Sequence, residues 1–418
     1  MRGTFRDWLK QLGPGLITGA ADDDPSGIAT YSQAGAQFGF LTLWSMLFTY
    51  PLMVGIQLVS ARIGRVTGHG LASNIGRNFP RPVLYGIVAL LVVANTINIA
   101  ADIAAMGDAL HLIIGGPPHI YAVGFGTVCL LLQVFLSYRR YVRYLKWLTL
   151  ALLSYVLLVL TIDIPWREVA AHTVTPHFGL TTEYLTVVVA VFGTTISPYL
   201  FFWQASQEVE ELNADPAAGA LAHAPEGAAA HLRRIKIDTY LGMGFSNIVA
   251  FCIILGTAAT LSAGGVTDIE TSAQAAEALR PLAGNAAFLL FALGIIGTGM
   301  IAVPVLAGSA AYAVTETFEW KRGLDLKLLE AREFYAIIAF ATLGGVALVF
   351  SPINPIKALF WSAVINGVVA VPIMVVMMLL ADDRKVMGEF TVTRRLKALG
   401  WLATGTMAAA VVAMFATW

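Results

Sequence analysis

The chain has 418 residues, of which 57% are hydrophobic and 12% charged, with a mean hydropathy of +0.73. A soluble domain carries about 25% charged residues, so a large soluble protein is excluded: it would have too little polar material to cover its surface. Lysine plus arginine and aspartate plus glutamate balance at 26 each, so net charge gives no reason to expect a nucleic-acid partner.

Apolar runs long enough to cross a bilayer, about 20 residues each, recur along the whole chain. In order they fall at roughly 12–35, 40–61, 83–110, 118–137, 147–163, 183–207, 237–262, 286–314, 334–350, 355–381 and 398–417, boundaries being good to a few residues. The third, sixth and eighth exceed what a span requires, so they tilt or project. Arg2, Arg6 and Lys10 precede the first run. Three aspartates break that run and no cleavage-site pattern follows, so it is not read as a signal peptide. Cys129 and Cys252 both fall inside apolar runs, which gives no disulfide framework. The longest connection includes an Ala/Pro/Gly-rich stretch from Asn213 to Ala230 and reads as a mobile loop.

Basic residues fix an orientation. With this span count, all of the 26 lysines and arginines except Arg167, Arg280 and Lys357 fall on one side. The positive-inside rule makes that side cytoplasmic. The N-terminus is then expected inside and the C-terminus outside, in a prokaryotic plasma membrane.

Two spans are interrupted. The first contains Asp22-Asp23-Asp24-Pro25-Ser26-Gly27. Carboxylates in mid-span are costly unless they face protein, water or an ion. Pro25 removes a backbone donor and Gly27 loosens the helix. An unwound point is therefore expected there, where free carbonyls and a carboxylate meet. The sixth span contains Thr194-Thr195-Ile196-Ser197-Pro198-Tyr199; taken alone, Ser197-Pro198 reads as an ordinary proline kink. Together the two breaks open the halves of a five-plus-five arrangement. Interrupted spans at corresponding positions of two halves point to a transporter site, where half-helix ends and unwound carbonyls supply partial charges and ligands.

Gly13-Pro14-Gly15, Asp24-Pro25, Ala29-Thr30 and Gln33-Ala34-Gly35 resemble the first helix of the Nramp family of divalent-metal transporters. Ser60-Ala61-Arg62-Ile63-Gly64 with Val66-Thr67-Gly68 resembles the end of its second helix. The resemblance implies an all-α membrane protein with a LeuT-type inverted repeat, five plus five helices and one more. The first repeat would cover about 12–163, the second about 183–381 and the extra helix about 398–417. The metal site would lie between the breaks of helices 1 and 6.

The departures carry information. The family usually reads Asp-Pro-Gly-Asn in helix 1, where this chain has Asp24-Pro25-Ser26-Gly27, and Ala-x-x-Met-Pro-His in helix 6, where it has Thr194-Thr195-Ile196-Ser197-Pro198-Tyr199. The metal-binding aspartate is kept; Gly27 stands at the asparagine position, Ser197 at the methionine and Tyr199 at the histidine. This pattern is similar to the Nramp-related magnesium transporter branch. A thioether suits late, thiophilic ions, whereas Mg²⁺ takes hard oxygen and keeps several waters. Asp24 would ligate directly or through water, with Ser197, Thr194 and carbonyls near Gly27 contributing oxygen.

All seven histidines fall in loops or at span ends (His69, His111, His119, His172, His177, His223 and His231), so none serves as a core relay. In the third span, Asn98 precedes Asp102, and the family's second acid aligns with Ala105. Little or no proton coupling is therefore expected, with Asp102 either a proton site or simply hydrogen-bonded in the bundle. Asp22, Asp23, Asn98, Asp102, Gln204, Gln207, Glu208 and Asn366 are candidate pathway or gate residues. For Gln204, Gln207 and Glu208 a solvated helix end is the plainer reading, and for Asn366 a structural interhelical hydrogen bond.

The leading expectation is a transporter of Mg²⁺ and Mn²⁺ working by alternating access. Its rivals are a proton-coupled Mn²⁺/Fe²⁺ transporter of the same family and a Na⁺-driven organic-solute symporter on the same fold. The symporter would need a helix-1 site for an anionic group, against which three aspartates argue. A non-transporting membrane scaffold or sensor is the remaining alternative. No catalytic constellation, cofactor motif or obligatory protein partner is evident; the expected partners are the divalent ion and the bilayer.

Overall fold

A computed structural model describes residues 18, 19, 21–135, 148–214 and 219–418. The Gly13-Pro14-Gly15 motif, the start of the first span, the basic residues of 138–146 and part of the Ala/Pro/Gly-rich stretch lie outside them. Within the described residues every regular element is helical.

The principal helices are α1 (Pro25–Phe38), α2 (Trp44–Thr67), α3 (Arg81–Ile114), α4 (Pro118–Phe135), α5 (Leu153–Thr161), α6 (Thr182–Thr195), α7 (Pro198–Ala214), α8 (Ala228–Thr257), α9 (Ala287–Thr317), α10 (Arg332–Leu348), α11 (Pro355–Asp382) and α12 (Arg394–Thr417). Among the described residues eight helical segments are long and apolar enough to cross a membrane, with α6 and α7 together making one. The expected fifth and ninth spans correspond to α5, which follows a 3-10 turn at Leu148–Leu152, and to the 17-residue α10. The third span is long as expected, 34 residues in α3. The seventh starts earlier than expected, at Ala228, and ends in a π-turn over Ala258–Ser262.

Both breaks form, one slightly displaced. Residues 18, 19, 21 and 22 are helical, Asp23 and Asp24 are not, and the helix resumes at Pro25. The unwound point therefore precedes Pro25, and Gly27 sits inside α1. The cause is local chemistry: proline at the first helical position has no donor to lose, and the Asp24 carboxylate caps the new helix by accepting from Gly27 N. In the sixth span Ile196 and Ser197 separate α6 from α7, with Pro198 again opening the second half.

Small residues let the broken spans approach their neighbours. A methyl group at Gly19 would lie 2.4 Å from the Gly242 backbone of α8, and one at Gly193 would lie 2.0 Å from the Ala363 carbonyl of α11. The Ser60–Gly64 motif packs on α7: Gln57 Nε2 donates to Leu200 O at 3.0 Å, Ser60 Oγ to Phe201 O at 2.5 Å, and Gly64 faces Ala205. These contacts enclose the two breaks.

Candidate metal site at the two helix breaks

The cap that starts α1 also fixes the central carboxylate. Asp24 Oδ1 accepts from Gly27 N and from Ser26 Oγ, both at 2.7 Å. Its Oδ2 accepts from Asn98 Nδ2 of α3 at 3.1 Å. The Tyr199 hydroxyl, from the first turn of α7, lies 3.5 Å from the same oxygen and donates to Ala21 O at 2.9 Å, closing off a carbonyl that the break sets free. Asp24 is 1% exposed, so in this conformation the carboxylate is shut from solvent on both sides.

Gly27 faces this carboxylate across a narrow space. A β-carbon there would lie 3.0 Å from Thr194 Oγ1, 3.3 Å from Tyr31 Cε2 and 3.5 Å from Asp24 Oδ1. The geometry thus brings Asp24, Gly27 and Thr194 together, two breaks meeting through one small residue. Ser197 is buried at the second break, but its hydroxyl is turned to its own half-helix, 2.9 Å from Gly193 O and 2.8 Å from Thr194 O. It caps the end of α6 and has lone pairs left to offer a ligand. The carbonyls near Gly27 belong to a formed helix; the unwound backbone lies upstream, at Asp23 and Asp24.

Asn98 ties a wider network to the site. Its amide reaches Asp102 Oδ2 at 3.1 Å, and its carbonyl oxygen accepts from Asn366 Nδ2 of α11 at 3.1 Å. Asn366 neighbours Gly367, where α11 touches α6. Its interhelical hydrogen bond joins α11, through Asn98, to the Asp24 carboxylate.

Asp22 and Asp23 are both buried. The Ser246 hydroxyl of α8 lies 2.5 Å from Asp22 Oδ2 and 2.9 Å from Asp23 Oδ1; with one hydrogen it satisfies one of them. Asp22 Oδ1 and Asp23 Oδ2 have no protein donor among the described residues. Beyond them Thr18 Oγ1 donates to Gln204 Oε1 at 2.5 Å, and Gln204 Nε2 to Glu208 Oε1 at 3.3 Å. Glu208 Oε2 meets Arg234 at 2.6 Å, and Arg234 also meets Glu211 at 2.5 Å. Gln204 and Glu208 are both 0% exposed. This corrects the solvated-end reading for these two: the Gly64–Ala205 approach of α2 and the pairing with α8 wrap this turn in protein. Gln207 is half-buried, and its Nε2 has no hydrogen-bond partner among the described residues.

Sequence reasoning did not single out Tyr31 and Ser246. Neither has a local signal, because each acts from a helix that only the fold brings to the break. Tyr199 was visible as a departure from the family pattern, without its link to Ala21.

Known proteins resemble this chain in sequence and in fold. The Divalent metal cation transporter MntH of Acidiphilium cryptum (strain JF-5) is 26% identical over 403 residues, covering 94% of this chain and 86% of that protein. The protein of that name from Klebsiella pneumoniae is 25% identical over 402 residues, covering 94% and 90%. The crystal structure of the Eremococcus coleocola manganese transporter superposes with a TM-score of 0.76 at 18% identity, over 99% of this chain and 87% of that one. Mhp1, a nucleobase-cation-symport-1 family transporter, superposes at 0.59 with 13% identity, over 97% and 92%. The fold is the LeuT-type inverted repeat with its first and sixth helices broken. The family described as Natural resistance-associated macrophage protein-like, Nramp, matches residues 15–417, and the chain belongs to that family.

Proposed function

We propose that this protein carries divalent cations, Mg²⁺ with Mn²⁺ alongside, through a multi-pass membrane domain by alternating access, with little or no proton movement. Divalent-cation transport is supported by family membership and by relatives named for that activity. The ion preference is supported by one observation above all: the atoms nearest a side chain at Gly27 include two oxygens, Thr194 Oγ1 and Asp24 Oδ1, with the Tyr31 ring beside them. Mg²⁺ dehydrates reluctantly and takes oxygen ligands. A glycine at position 27 leaves no side chain between Asp24 and Thr194, and Asp24 supplies the charge. Asp22 and Asp23 place two further buried carboxyl groups next to the break.

Low proton coupling is supported by the lack of any core histidine and by Ala105 at the position of the second helix-3 acid. The proton-coupled Mn²⁺/Fe²⁺ alternative rests on Asp102, which Asn98 joins to Asp24. We further propose that the repeats cover about 12–163 and 183–381, with 398–417 as the extra helix, and that the N-terminus is cytoplasmic and the C-terminus outside, in a prokaryotic plasma membrane.

The test is uptake of Mg²⁺, Mn²⁺ and Ca²⁺ into proteoliposomes with a pH-sensitive dye inside. The expected result is Mg²⁺ and Mn²⁺ entry with a nearly flat internal pH. Robust metal-dependent acidification would transfer the assignment to the proton-coupled alternative, and Mn²⁺ entry without Mg²⁺ would remove the magnesium assignment.

A further inference from the structure

A second site lies away from the helix breaks, between α2, α8 and α12. A cavity of about 460 Å³ opens there. Its basic lining comes from Arg62, Arg233, Lys236 and Arg395, and among the described residues no aspartate or glutamate lines it. Leu58 and Leu399 line it further along α2 and α12, so a cationic mouth continues into an apolar groove.

The cations are arranged rather than scattered. Arg62 is half-buried and held by two backbone carbonyls, its Nε donating to Phe390 O at 2.8 Å and its Nη2 to Thr391 O at 3.0 Å. Lys236 Nζ sits 5.8 Å from the centre of the Tyr240 ring. The neighbouring Arg234 is turned inward and neutralised by Glu208 and Glu211, which leaves Arg233 and Lys236 to the cavity. The third wall is the start of α12, capped by Thr393. Helix N-termini carry partial positive charge and favour acidic residues in the first turn. This one has none and carries Arg394 and Arg395 instead. Arg395 at this positive helix end shares the cavity with Arg62, Arg233 and Lys236, and like charges gathered there favour an anion among them. Nothing acidic among the described residues lines the cavity to offset these cations, and backbone donors at a helix N-terminus are a recurrent phosphate cradle.

We propose that this groove binds an anionic phospholipid, its phosphate among Arg62, Arg233, Lys236, Arg395 and the start of α12, and one acyl chain along Leu58 and Leu399. Basic clusters at the ends of transmembrane helices recognise anionic headgroups in this way. The apolar continuation favours a lipid over a free anion. The site is independent of which ion the protein carries.

The experiment is native mass spectrometry of the detergent-purified full chain titrated with phosphatidylglycerol or phosphatidylcholine. Wild type should retain phosphatidylglycerol in preference to phosphatidylcholine. The triple variant Arg233→Gln/Lys236→Gln/Arg395→Gln should bind phosphatidylglycerol at least about tenfold more weakly, with phosphatidylcholine unchanged. The single charge reversal Lys236→Glu, at an exposed position, should weaken phosphatidylglycerol in the same direction and serves if the triple variant is not recovered. Equal phosphatidylglycerol affinity in wild type and Lys236→Glu would overturn the proposal. Glycerol 3-phosphate at the lipid's concentration should not compete; full competition would overturn the lipid assignment in favour of a small-anion site.

Discussion

Asn98 donates to Asp24 over 3.1 Å, from the middle of α3 to the carboxylate that caps α1. The same amide group reaches Asp102, and its oxygen holds Asn366. One side chain therefore connects the first break with α3 and α11. Any rearrangement that moves α1 to open the site has to break or carry this bond.

Replacing Asn98 with leucine keeps the volume close and removes both amide donors. A buried hydrogen bond to a charged group contributes about 1.5–3 kcal/mol. Initial Mg²⁺ uptake by Asn98→Leu in proteoliposomes should fall at least about tenfold, with an unchanged elution profile in gel filtration. An unchanged uptake rate would show that the bridge is incidental to transport.

Selectivity is expected to follow the packing at Gly27. Gly27→Asn places a β-carbon 3.0 Å from Thr194 Oγ1 and 3.3 Å from Tyr31, so the single change is crowded. Thr194→Ala relieves it by removing that oxygen. Ser197→Met adds a sulfur at the end of α6 at the expense of the hydroxyl that caps Gly193 and Thr194. The triple variant Gly27→Asn/Thr194→Ala/Ser197→Met should lose Mg²⁺ relative to Mn²⁺ uptake by about tenfold or more, because Mg²⁺ binds sulfur poorly and dehydrates reluctantly. An active triple variant with the wild-type Mg²⁺/Mn²⁺ ratio would assign selectivity to other residues.

The Glu208–Arg234 pair gives a stability prediction. Glu208 is fully buried and meets Arg234 at 2.6 Å. Removing one partner of a buried pair leaves an uncompensated charge, typically about 3–5 kcal/mol, whereas replacing both is far milder. Arg234→Met should lower Tm clearly more than Arg234→Met/Glu208→Gln, measured by thermal unfolding in detergent. Additive effects, with the double variant the least stable, would show that the pair does not act as a unit.

Much of this architecture is legible in the sequence. Apolar run length and the Asp24-Pro25 and Ser197-Pro198 pairs are properties of single segments, and they announce the spans and both breaks. The exact start of α1 is less so: Pro25 and Asp24 act together as a helix start, and this shifted the unwound point ahead of Gly27. Burial of Gln204 and Glu208 was not legible, because a Glu-rich helix end looks solvated until Arg234 and the Gly64–Ala205 contact cover it. Ser246 was invisible for the same reason. A lone serine in an apolar run has no partner in its own helix, and its two aspartates arrive only through the Gly19–Gly242 approach.

The central claim is that Asp24 holds the transported ion between the two breaks. It is tested most directly by Mg²⁺ uptake in proteoliposomes containing Asp24→Ala, with thermal unfolding and gel filtration establishing that the variant is folded. The account predicts that uptake falls to the level of empty liposomes while the protein remains folded; wild-type uptake by folded Asp24→Ala would contradict it.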